Sequence, residues 1–170
     1  VSTDTDNVRV AQYGEIYVAP LGTTLPTSVT ATLNAAFDSV GGISEDGFKR
    51  RPEREGSDVK DWAGDSVRDL QTAVKHDFSF VMLETSDITK ELLGMEEGVG
   101  WTGEQLPPQS WVIDWHDGDS TTRFCIPKAR ITAEDEVDHS AKDVVKYGVT
   151  ISPKKVDGKY FLPYYDDGVS

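Results

Sequence analysis

The stretch DVKDWAGDSVRDLQTAVKHDFSFVMLETSDITKELLG, residues Asp58 to Gly94, decides the fold, because it sets the longest strand pattern directly against the one convincing helix. From Val74 to Met82 the alternate positions Val74, His76, Phe78, Phe80 and Met82 form one mostly apolar face. Lys75, Asp77 and Ser79 begin the other face, before Val81 and Leu83 break its polarity. That period of two predicts a strand, half-buried at first and buried on both faces by its end. Thr85, Ser86 and Asp87 then offer capping oxygens, Ile88 and Leu92 lie one turn apart with Leu93 beside them, and Gly94 suits a left-handed stop. A helix this short is unstable alone in water, so Ile88 and Leu92 must be packed onto a sheet.

Outward from this pair, the chain reads as further strands. Val8 to Val18 is a first strand, ended by Pro20. In the following segment Leu33, Ala36, Phe37 and Val40 have helix-like spacing and predict a helical turn or two, stopped by Gly41-Gly42. Trp111, Ile113 and Trp115 alternate with Val112, Asp114 and His116, and Asp117-Gly118-Asp119-Ser120 turns this strand into Thr121 to Ile126 as a hairpin. Pro127 interrupts, Ala129 to Thr132 resumes, and Val144 to Ser152 and Lys159 to Tyr165 complete the set. The expected architecture is mainly β: a sandwich or barrel of about six or seven strands flanked by one short α-helix. The 170 residues, with no internal repeat or linker, suit a single domain.

Between Phe48 and Asp61 the pattern changes. Lys49, Arg50, Arg51, Arg54 and Lys60 stand against Glu53, Glu55, Asp58 and Asp61, with Pro52, Gly56 and almost nothing apolar. Such a segment cannot bury itself. It reads as a solvated, mobile loop or as an arm that orders against another subunit.

Composition narrows the function. Thirty acidic against seventeen basic residues, a net charge of −13, argue against a nucleic-acid-binding surface, since duplex binding rests on cations replacing counterions. No apolar run approaches a membrane span, and VSTDTDN has the features of no export signal. The single cysteine, Cys125, lies in strand alternation and reads as a buried thiol. His76, His116 and His139 have no partners at metal-ligand spacing, and Asp114, Asp117 and Asp119 around Gly118 are better read as a hairpin turn than as a calcium loop. No phosphate-cradling glycine loop or nucleophile elbow is present. The expectation is a protein without catalytic residues, metal or cofactor.

One further set of residues carries a resemblance. Gly14-Glu15-Ile16-Tyr17-Val18-Ala19-Pro20 is followed by Gly22-Thr23-Thr24-Leu25-Pro26 and Gly42-Ile43-Ser44-Glu45-Asp46-Gly47. Then come the charged arm, Trp62-Ala63-Gly64 before Val67-Arg68, the Phe78 to Glu84 strand running into Leu92-Leu93-Gly94, and Leu106-Pro107-Pro108 before the Trp111 strand. In this order, from about Val8 to Tyr165, the chain resembles the major tail protein, or tail tube protein, of long-tailed bacteriophages, particularly those of actinobacteria. The resemblance implies a β-sandwich with one flanking helix, a virion tail protein assembled in the host cytoplasm, and hexameric rings stacked into a tube through which DNA leaves. It implies as partners the chain itself, the tape measure, tail-end and baseplate proteins, and passing DNA that is not specifically bound; no membrane is involved. On that view Lys49, Arg50, Arg51, Glu53, Arg54, Glu55, Asp58 and Lys60 form an inter-subunit or inter-ring arm, and Asp69, Lys75, Asp77 and Ser79 are candidates for the lumen. Two other readings are a tail-end or neck protein of the same virion and a monomeric carbohydrate-binding sandwich. The last would use Trp101, Trp111 or Trp115 as a stacking platform.

Overall fold

Strand β6, Ser120–Glu134, is the axis on which the sheet is built, because among the described residues it alone has three strand partners. The computed structural model describes residues 8–166. Within them the other strands are β1 (Tyr13–Pro20), β2 (Asp38–Ser39), β3 (Ile43–Lys60), β4 (Ser66–Met82), β5 (Gln109–Asp117), β7 (Tyr147–Pro153) and β8 (Leu162–Asp166), with helix α1 at Asp87–Leu92. All pairings are antiparallel, in the order β2-β1-β5-β6-β7-β4-β3, and β8 adds to β6. The mainly β class with one short flanking helix is thus the observed one. The described residues hold eight strands: β2 and β3 are added to the expected set, and the two runs on either side of Pro127 form one strand.

Pro127 does not end β6. On one edge, Thr121 to Cys125 pair with β8 and Ala129 to Glu134 pair with β7, so the proline falls in the gap between two partners. Toward β5 the register skips between Ile126 and Ala129, and the Ser110 hydroxyl donates to the Pro127 carbonyl at 2.9 Å. A residue lacking an N–H therefore sits at a bulge, where no ladder bond is lost. The β5–β6 hairpin closes as expected, Asp117 facing Ser120, with Gly118 at φ 57° in the first central position.

Helix α1 follows β4 as its sequence dictates. The Ser86 hydroxyl accepts the Thr89 N–H at 3.2 Å, and the C-terminus closes with Gly94 N–H to Glu91 O and Met95 N–H to Lys90 O, Gly94 taking φ 68°. Leu92 and Leu93 are buried in the main core with Trp111, Ile113, Phe78, Phe80, Ile126 and Ile151, and Ile88 packs at its margin. At one end of this core Phe48, His76, Phe78, Phe124 and Phe161 contact ring to ring, with centroids 4.8 to 6.3 Å apart.

The helical turns expected near Leu33 to Val40 do not form. Asn34 Oδ1 accepts the Ala36 N–H at 3.0 Å and the Asn34 carbonyl accepts the Phe37 N–H at 3.0 Å, an alternative that competes with helix. The segment instead lies flat on the second face of β1, β5 and β6, where Leu25, Leu33 and Phe37 cover Ala19, Val112 and Cys125. Arg123 pins it there. Its guanidinium donates to the Ser28 and Ala31 carbonyls at 3.0 and 2.8 Å and grips Asp114 in a two-pronged pair at 2.7 and 2.8 Å. The Asp114 hydrogen bonds hold the guanidinium above its already high ordinary pKa, so it stays charged though buried.

Candidate assembly surface

The charged segment at 48–61 is not a loop. Lys49, Arg50, Arg51, Glu53, Arg54, Glu55, Asp58 and Lys60 all lie within β3, which pairs with β4 from Phe48↔Phe80 to Lys60↔Ser66. The physical reason is that both faces of the outer part of this hairpin meet solvent, so main-chain pairing proceeds without apolar alternation to announce it. β4 likewise begins at Ser66, well before the Val74 to Met82 pattern, and leaves β7 beyond Phe78. Its next twelve residues are joined to β3 alone among the strands. At about 3.3 Å per residue this ribbon spans roughly 35 to 40 Å, its first four residues still held to the body by the Asp77–Ser152, His76–Phe161 and Val74–Tyr160 contacts.

Around the turn, Asp61 Oδ1 accepts the Ala63 and Asp65 N–H groups at 2.9 Å each, and Gly64 takes φ 89°. Apolar side chains are exposed at this end: Trp62 wholly, Val67 at 65%, Val59 at 44% and Leu70 at 37%. Of this cluster only Trp62 and Val67 figure in the family resemblance. Its signal was there, in large apolar residues set among charges with no periodic partner.

The register sorts the charged side chains onto faces. Lys49↔Ser79, Arg51↔Asp77 and Glu53↔Lys75 are directly opposite, so these six share one face of the ribbon. The core assignment of the other face holds: Phe78 and Phe80 are buried, while Val74 and His76 are half-buried, His76 stacked on Phe78. Burial and the nearby Arg50 guanidinium lower the His76 pKa, which disfavours its charged form. Asp77 is itself largely buried, accepting the Ser152 hydroxyl at 2.6 Å and pairing with Lys75 at 2.9 Å. Glu55 faces Ala73 but Gly56 faces Gln71, so Thr72 is an extra residue. That bulge reverses the parity. Asp69 therefore lies opposite Asp58, on the face of the ribbon away from Lys75, Asp77 and Ser79.

The remaining candidates are accounted for by structure. Trp111 is fully buried and donates its indole N–H to the Ala129 carbonyl at 3.2 Å, and Trp115 is half-buried, so the pair offers no stacking platform. Asp114 is committed to Arg123, and Asp117 accepts the Val10 N–H at 3.0 Å. Cys125 is fully buried, and burial pushes its thiol up to about 12. Among the described residues no helix is long and apolar enough to cross a membrane.

Residues 1–165 match the family model described as phage tail tube protein. No curated protein matches the chain in sequence. Three solved assemblies contain chains of similar fold. One is the tube-terminating cap of the anti-feeding prophage, 8% identical over 98% of this chain and 100% of that one, at a TM-score of 0.54. Another is the extended sheath–tube complex of the extracellular contractile injection system PVC, 6% identical over 96% and 98%, at 0.52. The sixfold-symmetrised baseplate of the anti-feeding prophage gives 13% identity over 96% and 97%, at 0.50. At these identities the likeness is one of fold, and it agrees with the family match that spans nearly the whole chain: the chain belongs to the phage tail tube protein family.

Proposed function

We propose that six copies of this single-domain chain close into a ring, that rings stack into the tail tube, and that the tube conducts DNA during ejection. The observation that carries this is the ribbon of β3 and β4. A two-stranded ribbon in water is marginal, and here both outer edges of its free part lack a strand partner. Unpaired edges of that length suit strand pairing with a neighbouring copy. The eight charged positions on β3 are then the contacts of an arm to the next subunit or ring. The role is structural rather than catalytic, with assembly in the host cytoplasm and with tape measure, tail-end and baseplate proteins as further partners.

The lumen follows from the same sheet. A ring of six would carry roughly −78 charges, a field that keeps a polyanion from adsorbing. Lys75, Asp77 and Ser79 form one candidate lining and Asp69 belongs to the other face, so the two can be tested apart. Asp77→Lys should slow DNA release more at low salt if its face lines the channel, and Asp69→Lys should do so if the opposite face does. Electron microscopy of the concentrated protein tests the reading as a whole. Hollow tubes with sixfold symmetry are expected; a dispersed monomer, with no such tube in native particles, overturns it.

A further inference from the structure

Where the β3–β4 ribbon leaves the body, its aromatic contacts include one ring of a kind that titrates near neutral pH, His76. The ring is half-buried, stacked on Phe78 with centroids 5.3 Å apart and set edge-on to Phe161 at 4.8 Å. Its Nε2 stands 3.5 Å from an Arg50 guanidinium nitrogen, and the same guanidinium lies 6.0 Å from the Phe161 centroid. His76 thus ties β4 to β3 and to the segment before β8 in one place. Two residues further out along the ribbon, the Tyr160 hydroxyl donates to the Val74 carbonyl at 3.0 Å. The two holds come from adjacent residues, Tyr160 and Phe161, so a shift of one moves the other.

This arrangement suits a neutral imidazole. An arginine donates and cannot accept, so its contact with Nε2 uses the lone pair of the ring. A proton there would remove the acceptor and set two cations against each other. On the face that His76 occupies, β3 presents Arg50 and Arg54, and β6 sends the apolar Phe124 against Phe78 and Phe161. The turn before β8 holds Lys155 and Lys159 with Asp157 between them. Lys75 and Asp77 are on the other face of β4, where Asp77 is taken by Lys75 and Ser152. Burial first and Arg50 second lower the His76 pKa, against the smaller pull of Asp77. The closed contacts are therefore fully kept above the ordinary histidine value of about 6.5, and they weaken as pH falls from there through the lowered value.

From this geometry we propose that His76 is an acid-sensitive latch on the ribbon: neutral, it holds residues 74–76 against Tyr160 and Phe161, and protonated, it releases them. Release adds three residues, about 10 Å, to the part of the ribbon that moves apart from the body. The device acts within a single chain, so it goes beyond the tube reading and does not depend on it.

Nuclear magnetic resonance of the full chain, at concentrations where it is monomeric, tests the latch. The His76 ring should titrate below about 6.5. Between about pH 7.5 and pH 5 the amide protection factors of residues 74–76 should fall by about 3- to 10-fold, while those of β5 hold. His76→Phe keeps the ring contacts and takes no proton, so in that variant the fall should vanish. His76→Gln, which keeps an uncharged acceptor for Arg50, should give the same result if the phenylalanine variant does not fold. A ring that titrates at or above about 6.5, or wild-type protection at 74–76 that does not change with pH, overturns the proposal. So does an equal fall in either variant, which would assign the response to other titrating groups.

Discussion

The β5–β6 hairpin and the β3–β4 hairpin use the same antiparallel pairing and differ in everything that surrounds it. β5 is covered on both faces, by the main core around Trp111 and Ile113 and by the 25–37 segment over Val112. The outer part of the β3–β4 ribbon has both faces in solvent. In the first, burial supplies the stability and the hydrogen bonds set the register. In the second only the hydrogen bonds remain, and their net contribution is small. A hairpin in that condition gains stability when something else lies against it, which is the reason for proposing it as an assembly element.

Substitutions can break this comparison. The largest expected effect is at the covered hairpin: Trp111→Ala should lower unfolding stability by about 3–5 kcal/mol, read from denaturant unfolding of the monomer. Trp62→Ala should change the same measurement by less than about 0.5 kcal/mol. An equal loss at the two tryptophans would show that the ribbon packs in the monomer. Next, Asp114→Ala should cost about 3 kcal/mol because it strands the buried Arg123 guanidinium and loosens the 25–37 cover. Replacing both partners by apolar residues of similar size should recover part of that loss.

A third measurement sharpens the contrast without changing a residue. Amide protons of the free ribbon should exchange quickly in the monomer and become protected in the tube, while those of β5 stay protected in both. Equal protection of the ribbon in the two states would mean that it belongs to the monomer fold alone. Smaller again is the effect of Arg50→Glu with Arg51→Glu on folding, about 0.5 kcal/mol or less, since Arg51 pairs with Glu53 in solvent. The same pair of changes should weaken assembly clearly, more so at low salt. Smallest is Cys125: with its thiol pushed up to about 12, it should stay unmodified by a thiol reagent at pH 8 until the protein unfolds.

What could be read from the sequence divides along the same line. Where a strand sends apolar side chains into the main core, as at Phe78, Phe80 and Met82 or at Trp111 and Ile113, its alternation was legible, and so were the Ser86 cap and the Gly94 stop. The ribbon was not legible as strand because its side chains answer to solvent on both faces and leave no period to find. The 33–40 segment misled for a different reason: Leu33, Phe37 and Val40 are spaced as on a helix, but Leu33 and Phe37 cover one sheet face while Val40 joins the main core on the other. The bulge at Thr72 was invisible as well, and with it the parity that separates Asp69 from Asp77. Only the register across two strands shows it.

That register also decides how the ribbon can change length over generations. Within the ribbon, from Ser66 to Asp77, β4 carries two residues with no opposite number on β3: Thr72, between the Glu55 and Gly56 pairs, and Val67, between the Val59 and Lys60 pairs. Losing a single codon at either place would straighten the ribbon and leave every remaining cross-strand pair and its facing intact. Losing one elsewhere between Ser66 and Asp77 would shift the β4 residues between the deletion and the nearer unpaired position by one, turning those side chains to the opposite face while β3 keeps its own. Single-residue deletions in β4 are therefore expected to be tolerated at 67 and 72 and selected against between them.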